Sequence, residues 1–258
     1  MSDVRIEDRD RVRWIELNRP ESKNGLTIEV NQTIIDALGN LGDARVVVLT
    51  GAGGSFCSGL DLKTAMREGP QTPAANAERM RTYFHGLIRA ICALPVPSIA
   101  AIDGAAAGFG CDMALACDLR VLSDRAKIGE LFVKRGLIPD GGGTFTLTRL
   151  VGLGRALDMM LTGDSVGAEE ALRIGLATRL YPTDELVERT WELARSLADG
   201  PPIAMARIKQ LAYASLEGDL DAALERELEG QLECLGSRDF MEGVMAFLQK
   251  RSPKFTGQ

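Results

Sequence analysis

The sequence is short of the groups that most hydrolases, metalloenzymes and nucleotide-binding proteins depend on. Among 258 residues there is one histidine, His85. It stands beside Phe84 on a helical face, where a core or interface place suits it better than catalysis. A Ser-His-Asp hydrolase is therefore disfavoured, the more so because Ser55-Phe-Cys-Ser-Gly59 is not a G-x-S-x-G elbow. No G-x-x-x-x-G-K-[ST] loop occurs, and Gly51-Ala-Gly-Gly54 lacks the third spaced glycine of a dinucleotide fingerprint. No cluster of His, Cys and carboxylates has metal-ligand spacing, so neither a metal nor a redox cofactor is expected. The five cysteines, at 57, 92, 111, 117 and 234, are odd in number and contain no C-x-x-C pair. They read as small buried hydrophobes in a reducing compartment.

Charge and hydropathy exclude two more classes. The net charge of −6 offers no broad basic face for a phosphate backbone, so nucleic acid is not an expected partner. The N-terminus mixes Asp, Arg and Glu without an apolar stretch, which argues against a secretory signal. The most apolar run, Val96 to Ala116, is long enough to span a bilayer but carries Asp103, Asp112 and a glycine cluster. It reads as a buried strand and helix, and the expected location is the cytoplasm, with no membrane partner.

The first two-thirds alternate strand-like and helix-like text. Arg11 to Leu17 alternates as a half-buried strand does, while Ala44 to Thr50, Val96 to Ile102 and Asp118 to Leu122 suit buried strands. Thr27 caps a helix carrying Val30 and Ile34, and Asn76 to Leu94 has helical spacing until Pro95 and Pro97 stop it. Arg67 to Ala75, with Gly69, Pro70 and Pro73, reads as a loop. Beyond residue 145 strand signals fade, Thr183-Asp-Glu opens a helix to Leu197, and Gly200-Pro-Pro202 breaks the chain. The pattern predicts an α/β core over 1–199 and a helical region over 200–258, the latter striped by Leu220, Leu224, Leu228, Leu232 and Leu235.

Two glycine-rich segments follow apolar runs: Ser55-Phe-Cys-Ser-Gly-Leu-Asp-Leu-Lys63 and Gly104-Ala-Ala-Ala-Gly-Phe-Gly-Cys-Asp112. Glycines at 59, 108 and 110 let main chain approach a ligand without an intervening Cβ. Backbone N–H groups at strand-to-helix turns are preorganised donors, best used on an oxygen that gains charge in a transition state. The sequence thus points to a reaction through an oxyanion.

These segments, together with Leu17-Asn-Arg-Pro20, Gly108 to Asp118, Gly136-Leu-Ile-Pro-Asp-Gly-Gly-Gly-Thr144 and Phe247 to Phe255, resemble the crotonase superfamily of enoyl-CoA hydratases and isomerases. The match follows the family's order along nearly the whole chain. The Ile-Pro-Asp run and the C-terminal ending most resemble the branch of ring-1,2-epoxyphenylacetyl-CoA isomerases. The resemblance implies a crotonase-like ββα spiral core with a helical C-terminal trimerisation region, hence a homotrimer or a dimer of trimers. It also implies an acyl-CoA thioester as substrate, with coenzyme A entering only as part of it.

Site residues follow from the same resemblance. The oxyanion donors are the N–H groups of Leu60 and Phe109, the latter departing from the small residue usual there. Of the two glutamates that the family's hydratases use, the first position holds Asp112 and the second Phe132, which cannot transfer a proton. Asp140 matches the isomerase's catalytic carboxylate, so Asp140 and Asp112 are the catalytic candidates, against helix-cap and first-turn alternatives. Glu130, two residues from the glutamate position, reads as a surface or structural group. Lys23, Asp61, Leu62, Lys63, Phe247 and Lys250 match positions that hold coenzyme A. The expected reaction is a double-bond shift by carboxylate-mediated proton transfer, with hydration of a 2-enoyl-CoA, or acyl-CoA binding without catalysis, as alternatives.

Overall fold

Five consecutive residues of Val46-Val-Val-Leu-Thr50 are buried, the pattern of a strand covered on both faces. The computed structural model describes residues 2–69 and 71–258 and places this segment inside a six-stranded sheet. The strands are β1 (Val4–Arg9), β2 (Val12–Leu17), β3 (Val46–Gly51), β4 (Ser98–Ile102), β5 (Ala105–Ala107), β6 (Leu119–Ser123), β7 (Lys127–Gly129), β8 (Val166–Gly167) and β9 (Arg179–Tyr181). The larger sheet runs β1-β2-β3-β4-β6-β9, parallel except for the β1-β2 hairpin. A smaller sheet runs β5-β7-β8, with β5 and β7 parallel. Strands β1, β5, β7, β8 and β9 were not among the sequence expectations. The last four have two or three residues each, too few to display a period.

The helices are α1 (Ile28–Gly39), α2 (Leu62–Arg67), α3 (Pro73–Arg79), α4 (His85–Cys92), α5 (Phe109–Ala116), α6 (Gly143–Val151), α7 (Leu153–Thr162), α8 (Ala168–Arg173), α9 (Leu186–Ala198), α10 (Pro202–Ala214), α11 (Leu220–Leu235) and α12 (Arg238–Gln249). Thr27 caps α1 as expected, its hydroxyl accepting the Val30 N–H at 3.3 Å. The anticipated helix before Pro95 begins earlier, at Pro73 with Thr72 as its cap. It passes through a π turn over Met80–Phe84 before α4. The loop expected over 67–75 is correspondingly short, because α2 reaches Arg67; its Pro70 lies outside the described residues.

Two apolar clusters lie on the two faces of the larger sheet. Val12, Val46, Val48, Ile99, Ala101 and Val121 turn toward α9 and bury Leu186, Ala194 and Ala198. The alternate residues, among them Ile15, Val47, Leu49, Ala100 and Leu122, join the larger core with α1, α4 and α5. Every residue of α5 is buried, so the helix has no polar face and sits inside the molecule. The apolar run from Val96 to Ala116 is therefore β4, β5 and α5, and among the described residues no helix is long and apolar enough to cross a membrane.

Helices α10 to α12 are attached differently. Lys209 and Tyr213, one turn apart on α10, reach the same Asp118 at the start of β6, at 2.8 and 3.0 Å. The tail returns over α12, where Asp239 accepts the N–H groups of Thr256 and Gly257 at 2.7 and 2.8 Å. The leucine stripe of α11 finds no cover within the chain, Leu220 being 71% and Leu232 60% exposed.

Candidate active site

The two glycine turns are bonded side by side. Cys57 donates its N–H to the Ala105 carbonyl at 3.0 Å, and its own carbonyl accepts the Ala107 N–H at 2.9 Å. Contact this close leaves no room for side chains. A Cβ on Gly59 would lie 2.9 Å from the Ala107 oxygen and 3.2 Å from the Phe109 nitrogen, and Gly59 itself has φ +87°. Gly108, with φ 54° and ψ −127°, adopts a conformation reserved for glycine and turns the chain into α5. Leu60 and Phe109 follow these glycines. Neither donates its N–H to an acceptor among the described residues; Phe109 opens α5 and has no intrahelical acceptor. Two unspent donors thus stand on adjacent turns, the arrangement an oxyanion requires.

Leu60 and Phe109 both line a cavity of about 500 Å³ whose wall also includes Phe132 and Asp140, Met80 and Phe84 from the π turn, and Leu131 and Leu137. The Phe109 ring does not fill this space. It is 3% exposed and packs edge-on against Phe84, with ring centroids 5.1 Å apart. The unusual residue at this position therefore leaves its amide available and props the π turn. Phe132 is buried at the cavity wall, where it presents a ring and no proton carrier.

Two carboxylates reach the cavity wall. Glu68 is paired with Arg79. Asp140 keeps one oxygen, Oδ1, buried and without a partner, and burial pushes its pKa above the ordinary aspartate value while nearby His85 draws it back. The helix-cap alternative for Asp140 falls away, because the residue capping α6 is Gly142, at φ 90°. His85, partly buried at the start of α4, contributes only its proximity to Asp140.

Asp112 lies beneath the loop, fully buried, and is not on the cavity wall. Its Oδ2 accepts the Gly141 N–H at 2.9 Å. Glu130 corrects a sequence expectation: a surface place is ruled out, since the residue is wholly buried beside Asp112. The signal was present, because Glu130 is two residues from buried Ile128 and a strand turns alternate residues to the same side.

The six positions expected to hold coenzyme A divide. Leu62 lines the cavity, and the Lys23 carbonyl receives the Ser58 N–H at 3.0 Å, which sets that exposed lysine beside the first turn. Lys63 is exposed on α2. Asp61 is buried and spent on structure: it accepts the Lys63 and Thr64 N–H groups, both at 3.1 Å, and pairs with Arg19 at 2.8 Å. Phe247 and Lys250 are exposed at the end of α12 and do not line the cavity; Phe247 borders a separate apolar groove of about 420 Å³. One chain therefore does not bring the two ends of the expected coenzyme site together. No group of three or more His, Cys, Asp or Glu side chains that could hold a metal occurs among the described residues.

Comparison with known proteins agrees with this geometry. The family model for enoyl-CoA hydratase/isomerase matches residues 7–258. A Rhodobacter capsulatus protein named "Probable enoyl-CoA hydratase" is 41% identical over 99% of this chain and 98% of its own. The 1,2-epoxyphenylacetyl-CoA isomerase of Escherichia coli is 36% identical over 96% and 95%. The crystal structure of an enoyl-CoA hydratase from Bacillus anthracis superposes with a TM-score of 0.94 at 32% identity, covering both chains completely. With two unspent amides over one cavity and this likeness along its length, the chain belongs to the enoyl-CoA hydratase/isomerase family and is an acyl-CoA enzyme of the crotonase fold.

Proposed function

We propose that this enzyme moves a double bond along an enoyl-CoA, with Asp140 as the single base. One observation carries the reading: of the two carboxylates on the cavity wall, Glu68 is neutralised by Arg79, while Asp140 is unpartnered in the space that Leu60 and Phe109 overlook. With a 3-enoyl thioester, Asp140 takes the proton from C2, and the electron pair moves toward the thioester oxygen, where the two amides stabilise the dienolate. The same carboxyl returns the proton to C4, and the double bond then lies between C2 and C3. A raised pKa suits a group that must both accept and release a proton near neutrality. Phe132 argues against hydration by two carboxyls, since it leaves the second position without a proton carrier.

Coenzyme A is held, on this reading, by Lys23, Leu62 and Lys63 beside the first turn, with Asp61 fixing α2 rather than touching the ligand. The leucine stripe of α11 joins copies into a homotrimer or a dimer of trimers. Phe247 and Lys250 complete the coenzyme site in that assembly. Incubation with a 3-enoyl-CoA and with a 2-enoyl-CoA, following products by mass, tests the reaction. Isomerisation faster than hydration is expected; water addition well above isomerisation would reassign the enzyme as a hydratase. Tight binding of both esters without product would make it a binding protein.

A further inference from the structure

Glu130 and Asp112 are both withdrawn from solvent, yet neither oxygen of Glu130, nor Oδ1 of Asp112, has a hydrogen-bond partner among the described residues. A Cβ on Gly143 would meet both Asp112 Oδ1 and Glu130 Oε1. The two carboxyl groups therefore converge on one point of backbone, Asp112 from α5 and Glu130 from the end of β7. Among the described residues no cation pairs with either. Arg120, the buried arginine of β6, spends its guanidinium on the carbonyls of Leu176 and Cys117, each at 2.7 Å. Two bare carboxylates in such a place would each lose their hydration without compensation and would repel one another. One proton between them removes both problems.

We propose that Glu130 and Asp112 share a proton and that the pair is a positioning element for the base, holding Gly141–Gly143, the backbone that directly follows Asp140. This rests on the reading of Asp140 as base. The loop is tied to the pair by the Gly141 N–H on Asp112 Oδ2, and Gly143 fits only because it has no side chain above the carboxyls. Burial, followed by the neighbouring charge, pushes Glu130 well above the ordinary glutamate range, and burial raises Asp112 above the ordinary aspartate range. The other titratable groups facing the pair are Asp140 from the loop and Cys111 from α5. The thiol is itself raised far above its usual range and stays neutral. His85, from α4, faces Asp140.

The sign of the linkage is set by these directions. An unfolded Glu130 loses its proton near the ordinary glutamate value of 4.5, whereas the folded one keeps it to a distinctly higher pH. The folded state then binds more protons across that window, so stability falls as pH rises through it. Loss of the shared proton would also set two like charges under Gly143 and push the loop carrying Asp140 out of place.

Melting curves of the wild type and of Glu130→Gln from pH 5.5 to 9.5 test the pair without any substrate. Gln offers an N–H where the protonated Glu offers an O–H, so the alkaline fall in Tm is expected to flatten above pH 7. Parallel curves for the two proteins would overturn the shared proton. Should Glu130→Gln fail to fold, Asp112→Asn removes the second charge and should shrink the same fall; an unchanged slope there would count equally against the pair. Kinetics with trans-3-hexenoyl-CoA test positioning. Glu130→Gln should stay within about tenfold of wild type in kcat and lose the alkaline limb of the kcat profile. Glu130→Ala should lower kcat by about 10- to 100-fold with little change in KM. A loss in Glu130→Gln as deep as that in Asp140→Asn would make Glu130 a proton carrier and refute the positioning role. If wild type does not turn over this ester at all, the reading of Asp140 fails, while the melting curves still decide the pair.

Discussion

The apolar residues of β3 and β4 and those of α11 are similar in kind and opposite in circumstance. Val46, Val47, Val48, Ile99 and Ile102 are wholly buried, whereas Leu220, Leu224, Leu228, Leu232 and Leu235 are each between 44% and 71% exposed. The sheet and its first helices complete their own interior. The last three helices do not, and they are held to the sheet by polar contacts such as Lys209 and Tyr213 on Asp118. The two apolar clusters at the sheet take their last residues from α9, while the five leucines of α11 stay exposed on a single chain. On the proposed reading the chemistry belongs to the first region and the assembly to the second, so changes in each should be separable.

The largest expected effect lies in the first region. Asp140→Asn removes a charge and a base while keeping shape, and should lower kcat by on the order of 10²–10⁴-fold, with KM and light-scattering mass unchanged. Full activity in this variant, with loss in Asp112→Asn instead, would move the base and return the enzyme toward hydratase-like chemistry. In the second region, Leu228→Glu with Leu232→Glu should convert the oligomer to a monomer by light scattering. Burial of each leucine is worth about 1.5–3 kcal/mol, and a carboxylate buried in its place adds an uncompensated desolvation cost, so the two changes act together against association. An unchanged mass would show that copies do not meet on α11.

Smaller effects sharpen the same contrast. Gly108→Ala forces an L residue to φ 54° and ψ −127°, a strain of about 1–3 kcal/mol that should lower Tm and displace the Phe109 amide, costing about tenfold in kcat. Asp112→Asn should cost less than Asp140→Asn, because Asp112 touches the loop and not the cavity. The gentlest probe is pH. Asp140 must be ionised to accept a proton, and burial raises its pKa, so the acid limb of kcat/KM should fall above the ordinary aspartate value. A limb at or below that value would imply a solvated carboxylate.

Much of the candidate site was legible in the sequence. The two glycine turns and the Ile-Pro-Asp run are local signals, and local geometry is what sequence spacing encodes. Gly59 and Gly108 do have positive φ, and Leu60, Phe109 and Asp140 do share one cavity. What escaped was non-local. Glu130 was read as a surface or structural group: its spacing from Ile128 hinted at burial, but its companions come from α5 and from the loop after residue 140, which its own neighbours do not name. Asp61 looked like a ligand contact because nothing near it in sequence announces Arg19. The short strands β5, β7 and β8 are fixed by pairing alone. Phe247 borders a groove that a single chain leaves apart from the cavity, and Lys250 lines neither.

The π turn at Met80–Phe84 has a consequence for how this enzyme can diverge. Such a turn is a helix carrying one residue more than its hydrogen bonds need, and Met80 and Phe84 both line the acyl cavity. Deleting one residue there would relax the segment to an α-helix and rotate the preceding wall by about 100°, the angle per residue, without disturbing Ile91 and the core below. A descendant of this gene could therefore acquire a differently shaped cavity through a single three-nucleotide deletion, keeping the Leu60 and Phe109 amides and Asp140 where they are.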